Sequence, residues 1–298
     1  TPRRTPKIIL LSALIGLAVA FHLRTANEYR WLWTQQTRFY WQLAWRAPYL
    51  EPGTLVLSEG ELFKYVGDYS TGMGINLLYP RQPDDPAVAY WFVDIEDTFT
   101  QNQDALLQGA PLEQSFRSFT FRGNSRDSLV ISYDPEEQRC LWVLDPAASD
   151  VRDLGSQTRR LAPLSNPQRI RPDSPVPGYP PEAIFGAEPA HTWCYFYQKA
   201  ELARQAGDWE TLVFLGEQAR EQGHTPIDHR EWLPFIEGYA HQGRWERAIQ
   251  LSQAVVKEKT RFAPAVCALW QRLEEQAPPG PEREAALSQI RADMGCSP

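Results

Sequence analysis

Sixteen consecutive residues, Ile8 to Leu23, carry no acid and no fixed base, and this run decides what the rest of the chain can be. It reads IILLSALIGLAVAFHL, apolar except for Ser12 and His22, with Arg3, Arg4 and Lys7 before it and Arg24 and Arg30 after it. As a helix it spans about 24 Å, against a bilayer core of about 30 Å. Lys7 and Arg24 can lay their stems along apolar surface and keep their charges among headgroups, so a short transmembrane helix is expected. A signal peptide is the rival reading, because a basic start and the Ala18-x-Ala20 pattern fit one, and a buried core helix is the third. The chain opens on Thr1 rather than Met. A signal peptide is N-terminal, so this start points to a trimmed chain or to residues lost upstream, and favours the anchor.

The stretch from Arg24 to Arg46 has no Pro or Gly and holds Tyr29, Trp31, Trp33, Phe39, Tyr40, Trp41 and Trp45. Tyr29, Leu32, Phe39, Tyr40 and Leu43 fall near one face at helical spacing. Aromatic rings with a polar tip gather at the bilayer–water boundary, and they also cover the edges of soluble cores; both roles are open for this helix. The bases on the two sides of the span are nearly balanced, and the expected orientation puts the long C-terminal part outside the cytoplasm.

The remaining length admits two soluble domains. Net charge is −7 without a long basic run, so nucleic acid is not an expected partner. Cys140, Cys194, Cys267 and Cys296 have no metal-ligand spacing. One disulfide outside the cytoplasm is conceivable, with Cys194 and Cys267 as the pair to test.

Residues 49–162 read as a small α/β domain with a mixed sheet. Pro52-Gly53 turns into a strand at Thr54–Leu57, a helix or two half-helices follow over Glu61–Tyr79, and Ala87–Ile95 is an apolar central strand, a βαβ order. Phe116–Phe121 alternates as a strand with a turn at Gly123-Asn124, and Ser128–Tyr133 with Cys140–Leu144 makes a hairpin. Gly72-Met73-Gly74 lacks the rest of a phosphate loop. Asp94, Glu96 and Asp97 follow a strand end, where a carboxylate pair can bind a cation or act as acid and base, and where a solvated loop is the plainer reading. Asp68 and Asn76 are expected as helix caps. No His lies between His22 and His191, which removes the commonest general base, and no nucleophile or cofactor motif is visible.

Residues 163–190 are rich in Pro and read as an extended linker. After Thr192 the pattern Gly207-Asp208-Trp209-Glu210 returns as Gly243-Arg244-Trp245-Glu246, each at a helix–helix corner. Helices are expected over Trp193–Gln205, Trp209–Glu221, Arg230–His241, Trp245–Lys259, Pro264–Gln276 and Glu282–Met294. Trp232, Tyr239, Gly243, Trp245 and Ala248 resemble the tetratricopeptide repeat. The first copy keeps Gly207, Trp209 and Ala219 but has Ala203 and Leu212 where Tyr and Ala are expected. Such a short array is expected to dock on the α/β domain or on a partner. The resemblance implies an inner face of Tyr197, Glu201, Arg204, Arg230, Glu237 and His241, which either takes a protein or peptide partner or serves plain packing, since a short array has a small groove. His224, His229 and His241 fit no standard metal site.

The expected architecture is therefore α+β and multi-domain. It comprises a transmembrane anchor over 1–24, an aromatic-rich interfacial helix over 25–48, the α/β domain over 49–162, the linker over 163–190 and a helical solenoid over 191–298. The expected function is a membrane-anchored, extracytoplasmic module for protein binding or assembly, with the lipid bilayer as a partner. An alternative comes from the layout of residues 1–160. A hydrophobic helix, an aromatic-rich helix, WRAPYLEPGTLVL and a small α/β unit resemble the tail of bacterial polytopic glycosyltransferases of the GT-C type. The resemblance implies a non-catalytic C-terminal portion of an enzyme that uses lipid-phosphate sugars, with no catalytic residue in this chain.

Overall fold

A computed structural model describes residues 4–79, 87–95, 106–136, 139–148, 154–173 and 176–296. The anchor and the aromatic-rich segment are one helix, α1 (Arg4–Arg46). It is 43 residues long, about 65 Å of unbroken rod. The large apolar side chains between Ile8 and Leu23 are 53–68% exposed. Among the described residues no neighbour covers this half of the helix, and it is long and apolar enough to cross a membrane. Tyr29, Trp31 and Trp33 are still exposed, whereas Phe39, Tyr40, Trp41, Leu43 and Trp45 are buried. The two roles open to the aromatics thus divide along the helix. Each fully buried ring or leucine contributes roughly 1.5–3 kcal/mol.

Strand β1 (Thr54–Ser58) follows and is buried at every position. It leads to α2 (Asp68–Leu78), then to β2 (Ala87–Val88) and β3 (Tyr90–Asp94). The helix is shorter than the Glu61–Tyr79 span because Tyr65 takes a left-handed φ of 68°, which a helix cannot continue. The apolar run from Ala87 is also broken, at Ala89. Asn76 on α2 accepts the backbone N–H groups of Ala89 and Tyr90 at 2.9 and 3.1 Å and donates to the Tyr90 carbonyl at 2.7 Å. Asn76 is therefore a brace between α2 and β3 rather than a cap. Asp68 likewise reaches β3, accepting from the Asp94 N–H at 2.7 Å.

The hairpin of β4 (Pro111–Phe116) and β5 (Phe119–Asn124) turns at Arg117, whose φ is 54°, not at Gly123-Asn124. Strands β6 (Ser128–Ser132) and β7 (Trp142–Val143) are antiparallel, as their alternation and polar connection predict. One sheet runs β3-β1-β6-β7, with β1 parallel to both neighbours, and the other runs β2-β5-β4. Val56, Phe92, Leu129 and Ile131 pack with Phe39, Tyr40 and Leu43 of α1 and with Ile75 and Leu78 of α2. The alternate residues, Leu55, Leu57, Val93 and Val130, belong to a second core that continues through Trp142 into the C-terminal helices. Strand periodicity thus sends one sheet into two cores.

Gly72 and Gly74 lie inside α2 rather than in a phosphate loop. A Cβ on Gly74 would sit 2.1 Å from the Tyr40 hydroxyl, and one on Gly72 would sit 3.1 Å from the Phe92 nitrogen. They are small so that α1 and β3 can approach closely.

Short helix α3 (Ser156–Leu161) precedes the Pro-rich segment, and α4 (Glu182–Phe185) lies within it. That segment lies against the body of the protein: Ile170 bridges Leu50, Ser165 bridges Ser128, and Phe185 lies against Tyr40 at a ring distance of 4.4 Å. Six helices complete the chain: α5 (Trp193–Ala206), α6 (Trp209–Glu221), α7 (Leu233–His241), α8 (Trp245–Glu258), α9 (Ala263–Gln276) and α10 (Pro281–Met294). From α5 to α8 each packs on the next. Gly207 and Gly243 close α5 and α7 with a left-handed φ of 71° each. Pro234 lets α7 begin later than Arg230, after a 3₁₀ turn over His229–Trp232.

All four cysteines are bonded, Cys140 to Cys194 and Cys267 to Cys296, with Cα separations of 5.3 and 5.4 Å. Cys194 does not pair with Cys267. It opens α5, which lies against the strand that follows Cys140.

Candidate functional site

The six side chains of the expected inner face do not share one open groove. Glu201, Arg204 and Glu237 meet in an ion network between α5 and α7. Arg204 Nη2 donates to Glu201 at 3.0 Å and to Asp145 at 3.3 Å, and Arg272 donates to Glu237 at 2.9 Å. Arg272 also donates to the Ala147 carbonyl at 2.8 Å, so the segment after β7 closes this face. Tyr197 is buried beside it, and Arg46 at the end of α1 donates to Gln205 of α5 at 3.0 Å. His241 is stacked on Trp209 with centroids 4.0 Å apart. Burial lowers its pKa. Arg230 lies elsewhere, pairing with Asp228 and covering the Trp142 ring at 4.6 Å. Of the two roles open to this face, a partner or packing on the α/β unit, the contacts of Asp145 and Ala147 are those of packing. Truncating one member of such a buried network leaves its partner charge stranded, a cost of about 3–5 kcal/mol.

The open polar cleft is on another side, at the carboxyl ends of β1 and β6. It measures about 630 Å³. Glu59 leaves β1 there, Asp134 and Glu136 leave β6, and Arg139 precedes β7. Gln35 of α1 and Arg230 and Arg261 of the helical layer line the same cleft. Glu59 accepts from the Thr158 backbone at 2.8 Å and from its hydroxyl, and Gln35 donates to Glu136 at 2.9 Å. The cleft suits a polar ligand carrying both signs of charge. Among the described residues it contains no His and no Cys.

Asp94, the first of the three expected carboxylates, is buried and accepts from the Gly60 N–H at 3.1 Å; it fixes the turn after β1. Glu96 and Asp97 lie outside the described residues. Among the described residues, no group of three His, Cys, Asp or Glu side chains is placed to hold a metal ion.

A second cleft, of about 560 Å³, shares Tyr133 and Arg139 with the first. Its floor is the Cys140–Cys194 disulfide and the buried carboxyl of Glu231. Glu231 accepts from the Cys140 N–H at 2.9 Å, from Trp142 Nε1 at 3.1 Å and from Trp193 Nε1 at 2.6 Å. Burial pushes its pKa up to about 7, against the pull of these donors. No sequence spacing announces this group: Glu231 is 91 residues from Cys140. The only signal was a glutamate among Trp and Arg at the start of an apolar helix.

Comparison with protein-family models, with curated proteins and with solved structures gives no match, so the functional reading rests on this geometry.

Proposed function

We propose that the chain is a membrane-anchored, extracytoplasmic binding and assembly protein that holds a partner in the polar cleft beside α1. The observation that carries this reading is that three parts of the chain line one cleft: Gln35 from the anchor helix, Glu59 and Glu136 from the sheet unit, and Arg230 and Arg261 from the helical layer. The tetratricopeptide-like helices then act as a wall of that cleft, their inner face being occupied by Asp145 and Ala147 of the same chain. The partner is a polar peptide or protein segment bearing both charges. The two disulfides support placement outside the cytoplasm, since such bonds persist in oxidising compartments.

Photo-crosslinking tests the site. A photoreactive residue at Arg261 in intact membranes should trap a partner, and one at the exposed Phe214 on α6 should not. Equal trapping, or none at Arg261, rejects the cleft. Release by carbonate washing rejects the integral anchor, and protection of residues 47–298 from protease added outside cells rejects the orientation.

The order of α1, residues 47–53 and β1 favours a second reading, the non-catalytic tail of a GT-C-type glycosyltransferase. An antibody against residues 282–298 tests it. A native product two or more times larger than 34.1 kDa supports that reading. Sugar transfer from a lipid-phosphate donor by this chain alone overturns its non-catalytic part.

A further inference from the structure

Glu231 is a buried carboxyl without an ion pair among the described residues, and it touches a disulfide. Its Oε2 lies 3.2 Å from Cys140 Sγ and accepts from Trp193, while Oε1 accepts from Cys140 N–H and Trp142. The two sulfurs are not equivalent. Cys140 is fully buried, whereas Cys194 is partly exposed, and both line the 560 Å³ cleft. A nucleophile entering that cleft reaches Cys194 first, and the sulfur it displaces is the one against the carboxyl.

We propose that Cys140–Cys194 is a thiol–disulfide exchange site for a dithiol, with Glu231 as the proton donor to Cys140. A thiolate of the dithiol attacks Cys194 Sγ. The Sγ–Sγ bond breaks and its electron pair goes to Cys140 Sγ, which takes the proton from Glu231. The second thiol of the dithiol gives up its proton and attacks the mixed disulfide, and Cys194 leaves as a thiolate and is protonated from solvent. The dithiol is oxidised to its disulfide by two electrons, both cysteines are reduced, and Glu231 regains a proton from water. An ionised Glu231 would instead repel the departing thiolate. The exchange breaks a tie between the sheet unit and α5, while the N–H bonds of Trp142 and Trp193 to Glu231 remain to guide reclosure.

The second disulfide is an internal control. The small cavity beside Cys267–Cys296 is lined by Arg291, and by no carboxylate among the described residues. The ionisable groups around Glu231 are His229, Asp228 and Arg230 on its own turn, Tyr133 and Arg139 from the β6–β7 connection, Arg38 of α1, and His224 from the loop after α6. His224 lines the same cleft and needs its own variant.

The full chain in detergent is treated with dithiothreitol over pH 6–8.5, and each cysteine is followed by timed alkylation and mass spectrometry. The ratio of the two reduction rates cancels the ionisation of the reagent. The ratio should fall about tenfold across this range, with its midpoint near 7. It should become flat in Glu231→Gln and keep its fall in His224→Asn. A flat wild-type ratio, a fall that survives Glu231→Gln, or one abolished by His224→Asn overturns the proposal. Should Glu231→Gln fail to fold, the wild-type and His224→Asn profiles decide it.

Discussion

The two halves of α1 share one backbone and opposite surroundings. Between Ile8 and Leu23 every large apolar side chain is exposed, and no internal amide needs a partner. Between Leu32 and Arg46 the helix is the spine of a core, and its polar side chains have addresses. Gln35 donates to Glu136, Gln42 accepts from the Leu141 N–H at 2.8 Å, and Arg46 donates to Gln205. Lipid can cover apolar surface but cannot satisfy a buried amide. Polar groups with partners, more than apolar content, separate the protein-facing half from the bare half.

Truncation breaks the symmetry between the halves most strongly. Leu43→Ala should destabilise the soluble body by about 2–5 kcal/mol, because Leu43 is fully buried. Leu14→Ala should leave the unfolding midpoint unchanged within about 0.5 kcal/mol, since Leu14 is 55% exposed. Denaturant melts of both variants in one detergent check the pair. If the two match, the division of α1 is wrong.

A charge tests the other half. Ile15→Lys should cost about 3 kcal/mol of membrane insertion while leaving the soluble fold intact. Carbonate extraction reads the first effect and circular dichroism of the extracted protein the second.

Titration extends the contrast to the clamp beyond α1. The Glu231 pKa, raised by burial to about 7, lies above its ordinary 4.5, so the folded form keeps a proton that the unfolded form loses. That stabilisation is complete below about 4.5 and is lost as pH rises to about 7, roughly 3 kcal/mol in all. Thermal melts at pH 5 and 7.5 should show the loss in the wild type and not in Glu231→Gln.

Smaller effects sharpen the comparison at single hydrogen bonds. Gln42→Leu strands the Leu141 N–H and should cost about 1–3 kcal/mol by denaturant melt. Arg24→Ala removes only an exposed pair with Glu28 and should leave the melting temperature unchanged.

The sequence by itself determined the elements whose evidence is local. An uncharged run of sixteen residues has to find lipid or a core, and here it stands bare. Pro52-Gly53 before an apolar run made β1, and the repeated Gly-x-Trp corners set the helix ends, because a left-handed φ is cheap only for glycine. Tertiary structure decided what depends on residues far apart in the chain. Asn76 splits the apolar run at Ala89, which periodicity alone read as one strand. Glu201, Arg204 and Glu237 of the expected partner face are sequestered where Asp145 and Ala147 fold over their ion network. Cys194 bonds Cys140 across 54 residues, and Glu231 gathers donors from two other segments. Local patterns report backbone preference and burial, whereas pairing and proton affinity follow from which segments meet, and that is set by the packed core.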